Sequence, residues 1–586
     1  MNYNLSTSLD SSKKRSTIVA LRDLFSLVSE EQRTMVIAFA AIFINAGLSL
    51  VAPYLVGHTI DVYVQNKDYH GVLVMAGVLL SIFACAFVAH YTQMRLMGGV
   101  GQRMLFSLRN AVYKKLLELP VDFFNQNKSG DLISRINNDS DKINQFFSQS
   151  LVQFVSNIFT MIGAGIFLIS IDVWLGLAAL APAGLIWLFT RVVSPWVKKK
   201  NADNMQSTGG MSAEIQESLT NFKVIVAFNR RDYFRQRFDE ANRQNYETAV
   251  KAGLANNIFM PVYSMMGNIG QIIVLVLGIV MISKGMFTIG LLISFVVYVQ
   301  HFYNPLRHLA GLWASFQVAM AGWERISNLL SLESNMKQYE PISDHVHSGF
   351  VTFHEVSFMY PNGKDVLHNV SFSLDRGKTY AFVGPTGGGK TSTSFLLARL
   401  YDCSKWQFFL DGRDIRSYTS VERTRKVGFI LQDPFIFGGT VRDNILYGND
   451  ELQVLKNNEL LAYMQKFGLD ALLERFDSGL DTTVSGIGET LSLGQKQIIA
   501  FIRAVLREPD LLILDEATAN IDTVTEQILE VIIKKLPVST TKVIIAHRLN
   551  TIESADQIFF VNSRKVVNAG SFDHAVQLLL HGKREG

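Results

Sequence analysis

The chain has 586 residues, of which 48% are hydrophobic and only 18% charged, against about 25% charged in ordinary soluble domains. This composition, with a mean hydropathy of +0.19, excludes a disordered, collagen-like or coiled-coil chain and argues against a wholly soluble protein. The net charge of +4 is too small to indicate a nucleic-acid partner, and two distant cysteines, Cys85 and Cys403, exclude a disulfide framework.

Six apolar windows without Asp, Glu, Lys or Arg occupy the first half of the chain. They cover residues 34–57, 71–89, 150–171, 173–190, 255–283 and 285–306. Each is long enough to cross about 30 Å of hydrocarbon as a helix. Single charges, Asp172 and Lys284, separate the third window from the fourth and the fifth from the sixth. Six such windows are too many for a soluble core, so we predict six transmembrane helices.

Loop charges predict the orientation of these helices. Segments 91–149 and 191–254 carry eight and eleven Lys or Arg residues, and residues 1–33 carry five, whereas the other connections contribute only Lys67 and Lys284. Positively charged loops stay on the cytoplasmic side, so we expect the N-terminus, both long loops and everything after the sixth helix in the cytoplasm. Helical periodicity runs on into both loops, which predicts helices that project beyond the bilayer.

A change of pattern near residue 349 predicts a second domain, in which short β-rich runs alternate with helical segments. The fold class is therefore a membrane α-helical domain followed by an α/β domain. We expect a cytoplasmic N-terminal segment with a short interfacial helix over 1–33, a transmembrane domain over 34–330, a linker over 331–348 and the α/β domain over 349–586.

The α/β domain contains the phosphate-loop spacing G-x-x-x-x-G-K-[ST] between a predicted strand over 380–383 and a predicted helix over 392–400. Its glycines let backbone N–H groups wrap phosphates, and the helix N-terminus adds a favourable dipole. Lys390 is expected to reach the β- and γ-phosphates, and the Thr391 hydroxyl to ligate Mg²⁺. The residues expected to bind nucleotide here are Gly384, Pro385, Thr386, Gly387, Gly388, Gly389, Lys390, Thr391 and Ser392.

Four apolar residues over 511–514 predict a buried strand that ends in two carboxylates, Asp515 and Glu516. Asp515 is expected to hold Mg²⁺ through water, and Glu516 to polarise the attacking water as a general base. Alone, this pattern fits any strand with an acidic end. Together with the phosphate loop it predicts NTP hydrolysis.

Between these two motifs, the run Leu-Ser-Leu-Gly-Gln over 491–495 resembles the L-S-G-G-Q signature of ATP-binding-cassette (ABC) ATPases. Further positions match that family in order. They are Tyr360 at the aromatic position that stacks on adenine, Gln432 at the glutamine that links nucleotide to the membrane domain, Asn520-Ile521-Asp522 at the D-loop, and His547 at the switch histidine. With the six apolar windows, residues 20–580 resemble a bacterial ABC exporter half-transporter of the type IV, MsbA-like fold.

The resemblance implies an ATP-driven translocase of the bacterial cytoplasmic membrane that uses ATP and Mg²⁺. It implies catalytic roles for Glu516, His547 and Gln432, and metal ligation by Thr391, Gln432 and Asp515. It adds nucleotide contacts by Tyr360, Gln432, Asp515, Ser492, Gly494, Gln495 and Asp522. It also implies that residues 123–130 and 220–228 are coupling helices that contact the nucleotide domains.

The chain departs from the family pattern at Leu493, where the signature has glycine, and at Gly486, where exporters carry the X-loop glutamate. The first position approaches the γ-phosphate of ATP bound across a dimer interface, so we expect Leu493 to crowd the site and restrict the backbone. Because the phosphate loop and the carboxylates look competent, we favour a heterodimer with one consensus and one degenerate ATP site. A homodimer that tolerates leucine is the alternative.

The apolar windows contain no charge, which favours amphipathic or hydrophobic drugs as substrates, held in an adaptable apolar cavity. A lipid or lipopeptide flippase and a non-transporting, nucleotide-gated regulator remain alternatives. Interhelical packing is a sufficient role for any single polar residue of the windows, so none is assigned to substrate. The residues considered are Asn45, Gln153, Asn157, Asn268, Gln271 and Tyr298, with Met265, Met266, Phe295 and Phe302 near them.

Overall fold

The computed structural model describes residues 3–5, 31–336, 338–340, 349–361, 363, 365–403, 408–486, 491–515, 523–545, 555–570 and 572–581. The chain divides into two compact units. The helical unit comprises Asp10–Leu117 and Ser129–Ser331, and the α/β unit comprises Met1–Leu9, Glu118–Lys128 and Leu332–Gly586.

Helices account for nearly all of the described chain before residue 331. They are α1 (Gln32–Thr59), α2 (Tyr69–Glu118), α3 (Val121–Gln126), α4 (Ser129–Ser134), α5 (Ser140–Gln145), α6 (Leu151–Ile171), α7 (Val173–Thr220), α8 (Phe222–Ala227), α9 (Arg231–Asn257), α10 (Phe259–Ser283) and α11 (Ile289–Leu330). Short π-helical turns over Ile60–Val64, Arg135–Asp139 and Phe146–Ser150 join some of them. The α3 helix belongs to the α/β unit.

Six helical stretches of the described chain are long and apolar enough to span a membrane. They are Gln32–Val64, Tyr69–Glu118, Ser129–Ile171, Val173–Thr220, Arg231–Ser283 and Ile289–Leu330. They correspond one to one with the six apolar windows, so the prediction of six spans is confirmed. All but the first run to more than 40 residues, about twice the length that hydrocarbon requires.

Capping residues determine where two of the apolar windows become helix. The Asp172 carboxylate accepts a hydrogen bond from the Leu175 N–H at 2.8 Å, so the charge between the third and fourth windows starts α7. Thr288 does the same for α11, accepting from the Leu291 N–H at 3.3 Å. The last span therefore begins at Ile289 rather than at residue 285.

The core of the helical unit contains two fully buried tyrosines of α11. The Tyr298 hydroxyl donates to the Leu50 carbonyl at 2.6 Å, and the Tyr303 hydroxyl donates to the Ala179 carbonyl at 2.8 Å. A buried hydroxyl needs such a partner, and these partners lie on α1 and α7. Tyr298 therefore has a packing role, as we expected for single polar residues of the spans.

The α/β unit is built on three sheets. Their strands are β1 (Val351–Met359), β2 (Asp365–Leu374), β3 (Thr379–Val383), β4 (Phe408–Leu410), β5 (Arg413–Asp414), β6 (Val427–Ile430), β7 (Gly439–Thr440), β8 (Thr483–Val484), β9 (Leu511–Asp515), β10 (Thr541–Ile545), β11 (Gln557–Asn562) and β12 (Lys565–Asn568). The six-stranded sheet has the order β12-β11-β3-β10-β9-β6, parallel except for β12. The four-stranded sheet is antiparallel with the order β2-β1-β4-β5, and β7 pairs with β8.

The helices of this unit are α12 (Lys390–Leu397), α13 (Ser420–Lys426), α14 (Val441–Ile445), α15 (Asp450–Gln453), α16 (Asn457–Gln465), α17 (Leu493–Val505), α18 (Thr523–Lys535) and α19 (Phe572–His581). The order of transmembrane helices followed by this α/β unit confirms the predicted fold class.

The register of the six-stranded sheet aligns the carboxyl ends of four neighbouring strands. Phe382 of β3 is paired with Ile545 of β10, which is paired with Asp515 of β9, and Leu514 is paired with Ile430 of β6. Parallel strands place whatever follows them at one edge of the sheet, where α/β proteins bind ligands. The phosphate loop, Asp515 and the segment after β6 therefore lie at the same edge.

Candidate functional site

The phosphate loop follows β3 directly and depends on its glycines for shape. Gly384, Gly387 and Gly389 have φ angles of +148°, +82° and +110°, which residues with a side chain rarely adopt. A Cβ on Gly384 or Gly388 would lie 2.1 or 2.6 Å from the Val561 carbonyl oxygen of β11. The loop is therefore packed against the sheet and presents its backbone in the way that a phosphate group requires.

Lys390 begins α12, immediately after Gly389, and is only 5% exposed. Its ammonium donates to the carbonyls of Gly384 at 2.8 Å and Pro385 at 3.1 Å. These bonds hold the charge over the loop whose phosphates it is expected to meet. Thr391 and Ser392 follow in the first turn of the helix, where the dipole favours an anion.

Asp515 ends β9 and is 1% exposed. The Ser394 hydroxyl lies 3.2 Å from the Asp515 carboxylate and 2.7 Å from the Thr391 carbonyl. Ser394 thus joins the end of β9 to the turn that carries Thr391, which brings two of the three expected Mg²⁺ ligands, Thr391 and Asp515, close together. Oxygen ligands of this kind suit Mg²⁺. The sequence analysis did not single out Ser394, although its position three residues after Thr391 places it over the same helical turn.

Tyr360 lies directly after β1, and its hydroxyl is 3.0 Å from the Ser392 hydroxyl. Its ring meets the rings of Phe358 and Tyr401 edge-on, with centroids 4.8 and 5.4 Å away. Burial raises the pKa of Tyr360, so the hydroxyl stays protonated. The residue expected to stack on adenine is therefore tied to the first turn of α12, beside the phosphate loop.

Gln432 comes two residues after β6 and is exposed at the carboxyl edge of the sheet. Its carbonyl accepts a hydrogen bond from the buried Gln497 side chain of α17 at 3.5 Å.

The chain after Gln432 leads to β7, which pairs with β8 just before Gly486. A Cβ on Gly486 would meet no described atom within 4 Å.

The signature segment starts α17 with a reciprocal capping box. Ser492 accepts from the Gln495 N–H at 3.2 Å, and the Gln495 side chain accepts from the Ser492 N–H at 2.9 Å and donates to the Arg475 carbonyl. Ser492 and Gln495 thus bond to each other and to Arg475. None of these hydrogen bonds connects Ser492 or Gln495 to the phosphate loop of the same chain.

Leu493 is the first residue of α17 and is 38% exposed. Its φ angle is not positive, so its backbone is not strained. The expectation that leucine restricts the backbone here is wrong, because the first helical position requires no glycine. The expectation of crowding concerns atoms beyond this chain and remains a prediction.

The two expected coupling helices are present as short helices, with bounds that differ from the prediction. They are α3, Val121–Gln126, and α8, Phe222–Ala227. The first ends before residue 130 because Asn127 is extended, with its side chain donating to the Phe123 carbonyl at 2.8 Å. Their role in coupling remains a prediction.

Residues 3–5 pack against α3 within the α/β unit. Tyr3 is 1% exposed, and its hydroxyl donates to the Glu333 carbonyl at 3.0 Å and accepts from the Asn335 N–H at 2.8 Å. Its N–H donates to the Gln126 side chain at 2.9 Å, and its carbonyl accepts from the Asn127 side chain at 2.9 Å. These contacts lie far from any motif in the sequence, and no sequence pattern indicated them.

Three expected site residues lie outside the described part of the chain. Glu516 and His547 follow the last residues of β9 and β10, and Asp522 comes shortly before α18. Their positions in the chain are consistent with a site at the carboxyl edge, and their roles remain predictions.

Comparisons with known proteins agree with the two units. Residues 35–306 match the family model of the ABC transporter transmembrane region, and residues 367–519 match the ABC transporter model. A fatty acid ABC transporter ATP-binding/permease protein of Mycobacterium tuberculosis is 32% identical over 518 residues, which are 88% of this chain and 81% of the relative.

Two further relatives carry other names. A Bacillus subtilis protein, "Probable multidrug resistance ABC transporter ATP-binding/permease protein", is 29% identical over 504 residues, which are 85% of this chain and 74% of the relative. An ATP-dependent lipid A-core flippase of Escherichia coli is 28% identical over 575 residues, which are 96% of this chain and 97% of the relative.

Proposed function

The chain belongs to the ABC transporter family, and we propose that it forms one half of a heterodimeric exporter with one consensus and one degenerate ATP site. As a member of this family it is an ATP-hydrolysing, multi-pass membrane transporter. The proposal adds that it moves amphipathic or hydrophobic compounds outward across the bacterial cytoplasmic membrane. Its N-terminus and α/β unit then lie in the cytoplasm, as the loop charges favour.

The phosphate-loop side supports ATP binding and hydrolysis. The backbone N–H groups of the loop bind the phosphates, and Lys390 neutralises the charge of the β- and γ-phosphates. Thr391, Gln432 and, through water, Asp515 would hold Mg²⁺, which would stabilise the negative charge of the phosphates. Glu516 orients and deprotonates the attacking water, and His547 contacts the γ-phosphate. Tyr360 stacks on the adenine.

The single observation that carries the heterodimer is Leu493, an exposed apolar side chain at the position that faces ATP on the opposite subunit. Its backbone is that of an ordinary helix start, so the substitution costs the fold nothing. In a homodimer, leucine would face ATP in both sites. In a heterodimer it faces only the site whose phosphate loop belongs to the partner.

The test is the ATPase activity of this chain purified alone, compared with the chain co-expressed and co-purified with the half-transporter encoded next to it. We expect activity only in the complex, with Lys390→Ala in this chain abolishing it. Rapid hydrolysis by the chain alone would contradict the heterodimer and favour a homodimer that tolerates leucine.

A lipid substrate is the second candidate, and the names of two relatives favour it, since one is a fatty acid transporter and the other a lipid A-core flippase. The same complex in lipid nanodiscs should distinguish the two classes. We expect ethidium to stimulate its ATPase and to be transported by proteoliposomes. Stimulation by oleate or by a fluorescent phospholipid, with no response to ethidium, would favour the lipid substrate. Stimulation without movement of any probe would favour a regulator.

A further inference from the structure

We propose that Tyr401 is a positioning residue that couples occupancy of the adenine position to the placement of α3. The proposal deepens the proposed function and rests on it, because it takes Tyr360 as the residue that stacks on adenine. Tyr401 lies between the two, within the α/β unit, and is 8% exposed.

Three contacts lead from α3 to the phosphate-loop helix. The Asn125 side-chain amide of α3 donates to the Tyr401 hydroxyl at 2.6 Å. The Tyr401 ring meets the Tyr360 ring edge-on, at 88° and a centroid distance of 5.4 Å. The Tyr360 hydroxyl lies 3.0 Å from the hydroxyl of Ser392, in the first turn of α12. The hydroxyl of Tyr360 therefore contacts the first turn of α12, and its ring contacts Tyr401, which is bonded to α3.

The geometry of the aromatic pair allows it to transmit a displacement. An edge-on pair has a preferred orientation, so a base that fixes the face of Tyr360 also restricts Tyr401. A cavity of about 460 Å³ opens beside the pair, and its lining includes Pro120, Asp122, Met336, Tyr360 and Tyr401. Close-packed side chains cannot shift without disturbing their neighbours, whereas a cavity leaves both rings room to move.

A second tyrosine holds α3 independently of the nucleotide site. Tyr3 meets Phe123 of α3 edge-on at 6.3 Å, and its hydroxyl bonds to the backbone of Glu333 and Asn335. None of these partners is among the residues that we assign to ATP, although Asn335 also lines the cavity beside Tyr360 and Tyr401. The two tyrosines therefore predict different effects: Tyr401 determines how α3 responds to nucleotide, and Tyr3 determines how firmly α3 is held at all times.

The experiment measures hydrogen exchange of the backbone over residues 121–127 in the full-length complex, with and without a non-hydrolysable ATP analogue. Tyr401→Phe removes only the hydroxyl that accepts from Asn125. We expect it to reduce the nucleotide-induced protection of this segment about two- to tenfold, the equivalent of one hydrogen bond. Because coupling between two positions is reciprocal, ATP affinity should fall by no more than the same factor. Stimulation of the ATPase by ethidium should fall in parallel.

Tyr3→Phe is the matched control, since it also removes one hydroxyl and keeps the ring. We expect it to raise exchange of the same segment equally with and without nucleotide. Asn125→Ala, on the exposed side of the contact, should reproduce Tyr401→Phe even if the latter folds poorly, and the double variant should show no further loss.

Nucleotide-induced protection that stays at the wild-type level in both Tyr401→Phe and Asn125→Ala would overturn the proposal. An equal effect of Tyr401→Phe with and without nucleotide would also overturn it, because that result indicates a purely structural role. A separate variant tests the premise. If Tyr360→Ala binds ATP as tightly as wild type, the adenine position itself is wrong, whatever the variants of Tyr401 show.

Discussion

The phosphate loop and the signature segment are the two motifs of the α/β unit that we expect to contact ATP, and their surroundings differ. The loop is packed at both ends against its own chain, since Gly384 lies on the Val561 carbonyl and Lys390 is 5% exposed, while Thr386 and Gly387 between them are exposed. The signature segment is presented outward, with Leu493 38% exposed at the start of a helix. A change in the first motif disturbs the fold as well as the chemistry, whereas the second can lose its consensus at no cost to the fold.

Replacing the lysine of each motif should give the largest contrast. Lys390→Ala removes the charge held over the phosphate loop, and we expect ATPase activity of the complex to fall roughly a hundredfold or more. Lys496, in the first turn of α17, provides the control, and Lys496→Ala should reduce the rate far less. Steady-state ATP hydrolysis measures both. Near wild-type turnover of the Lys390 variant would contradict the assignment of the loop.

A matched pair of glycines compares the packing of the two regions. A Cβ on Gly384 would lie 2.1 Å from a backbone carbonyl at a φ of +148°, whereas one on Gly486 would meet no described atom within 4 Å. We expect Gly384→Ala to destabilise the α/β unit by about 1–3 kcal/mol and to abolish ATP binding. Gly486→Ala should stay within about 0.5 kcal/mol of wild type. Thermal unfolding measures both stability changes. Equal changes in Tm for the two variants would contradict the idea that the loop is more tightly packed than the position of Gly486.

Restoring the consensus residue should sharpen the contrast between the two ATP sites. If leucine crowds the site across the dimer interface, Leu493→Gly should give this chain, purified alone, an ATPase activity that the wild-type chain alone lacks. Glycine at a helix start costs at most about 1 kcal/mol of stability, so the fold should tolerate it. Leu493→Ala separates the bulk of the side chain from the backbone freedom of glycine. If bulk is what impairs the site, alanine should have much of the effect of glycine. An unchanged rate in both variants would contradict the idea that Leu493 impairs a site.

Two capping boxes provide the smallest and most controlled test. Ser492 caps α17 in the signature, and Thr419 caps α13 elsewhere in the same unit, each with a reciprocal partner three residues later. Ser492→Ala and Thr419→Ala should each cost about 1 kcal/mol in thermal unfolding. Because Ser492 lies in the signature that we place at the degenerate site, Ser492→Ala should lower ATP hydrolysis by the complex no more than Thr419→Ala does. A much larger loss of hydrolysis in Ser492→Ala would contradict that placement.

The sequence was sufficient for the architecture because its signals are periodic and local. Uncharged apolar windows of 18 residues or more predict membrane helices, because few other structures can bury so long an apolar stretch. The alternation of strands and helices predicts a parallel sheet, and a parallel sheet brings the segments after its strands to one edge. Phe382, Ile545 and Asp515 occupy paired positions there for that reason.

The features that sequence reasoning missed depend on contacts between distant residues. Asn125 and Tyr401 are 276 positions apart; Asn125 lies in an expected coupling helix, but Tyr401 belongs to no motif, so nothing in the sequence pairs them. Leu493 is the opposite case, because the glycine that the family carries at this position is not required by the backbone of an ordinary helix start. The substitution pattern alone cannot separate the two causes, because an exposed helix start and a strained turn can both carry glycine.

The contacts of Tyr3 have a consequence for biosynthesis. Tyr3 leaves the ribosome 330 residues before Glu333, whose carbonyl accepts its hydroxyl proton. At about 5–20 residues per second, that interval is roughly 15–65 s. All six apolar stretches must enter the membrane during it. The Gln126 and Asn127 partners of Tyr3 are synthesised before the third span, whereas its hydroxyl can reach the Glu333 and Asn335 backbone only after the last span. The complete set of contacts therefore forms only on a chain whose six spans have all been made.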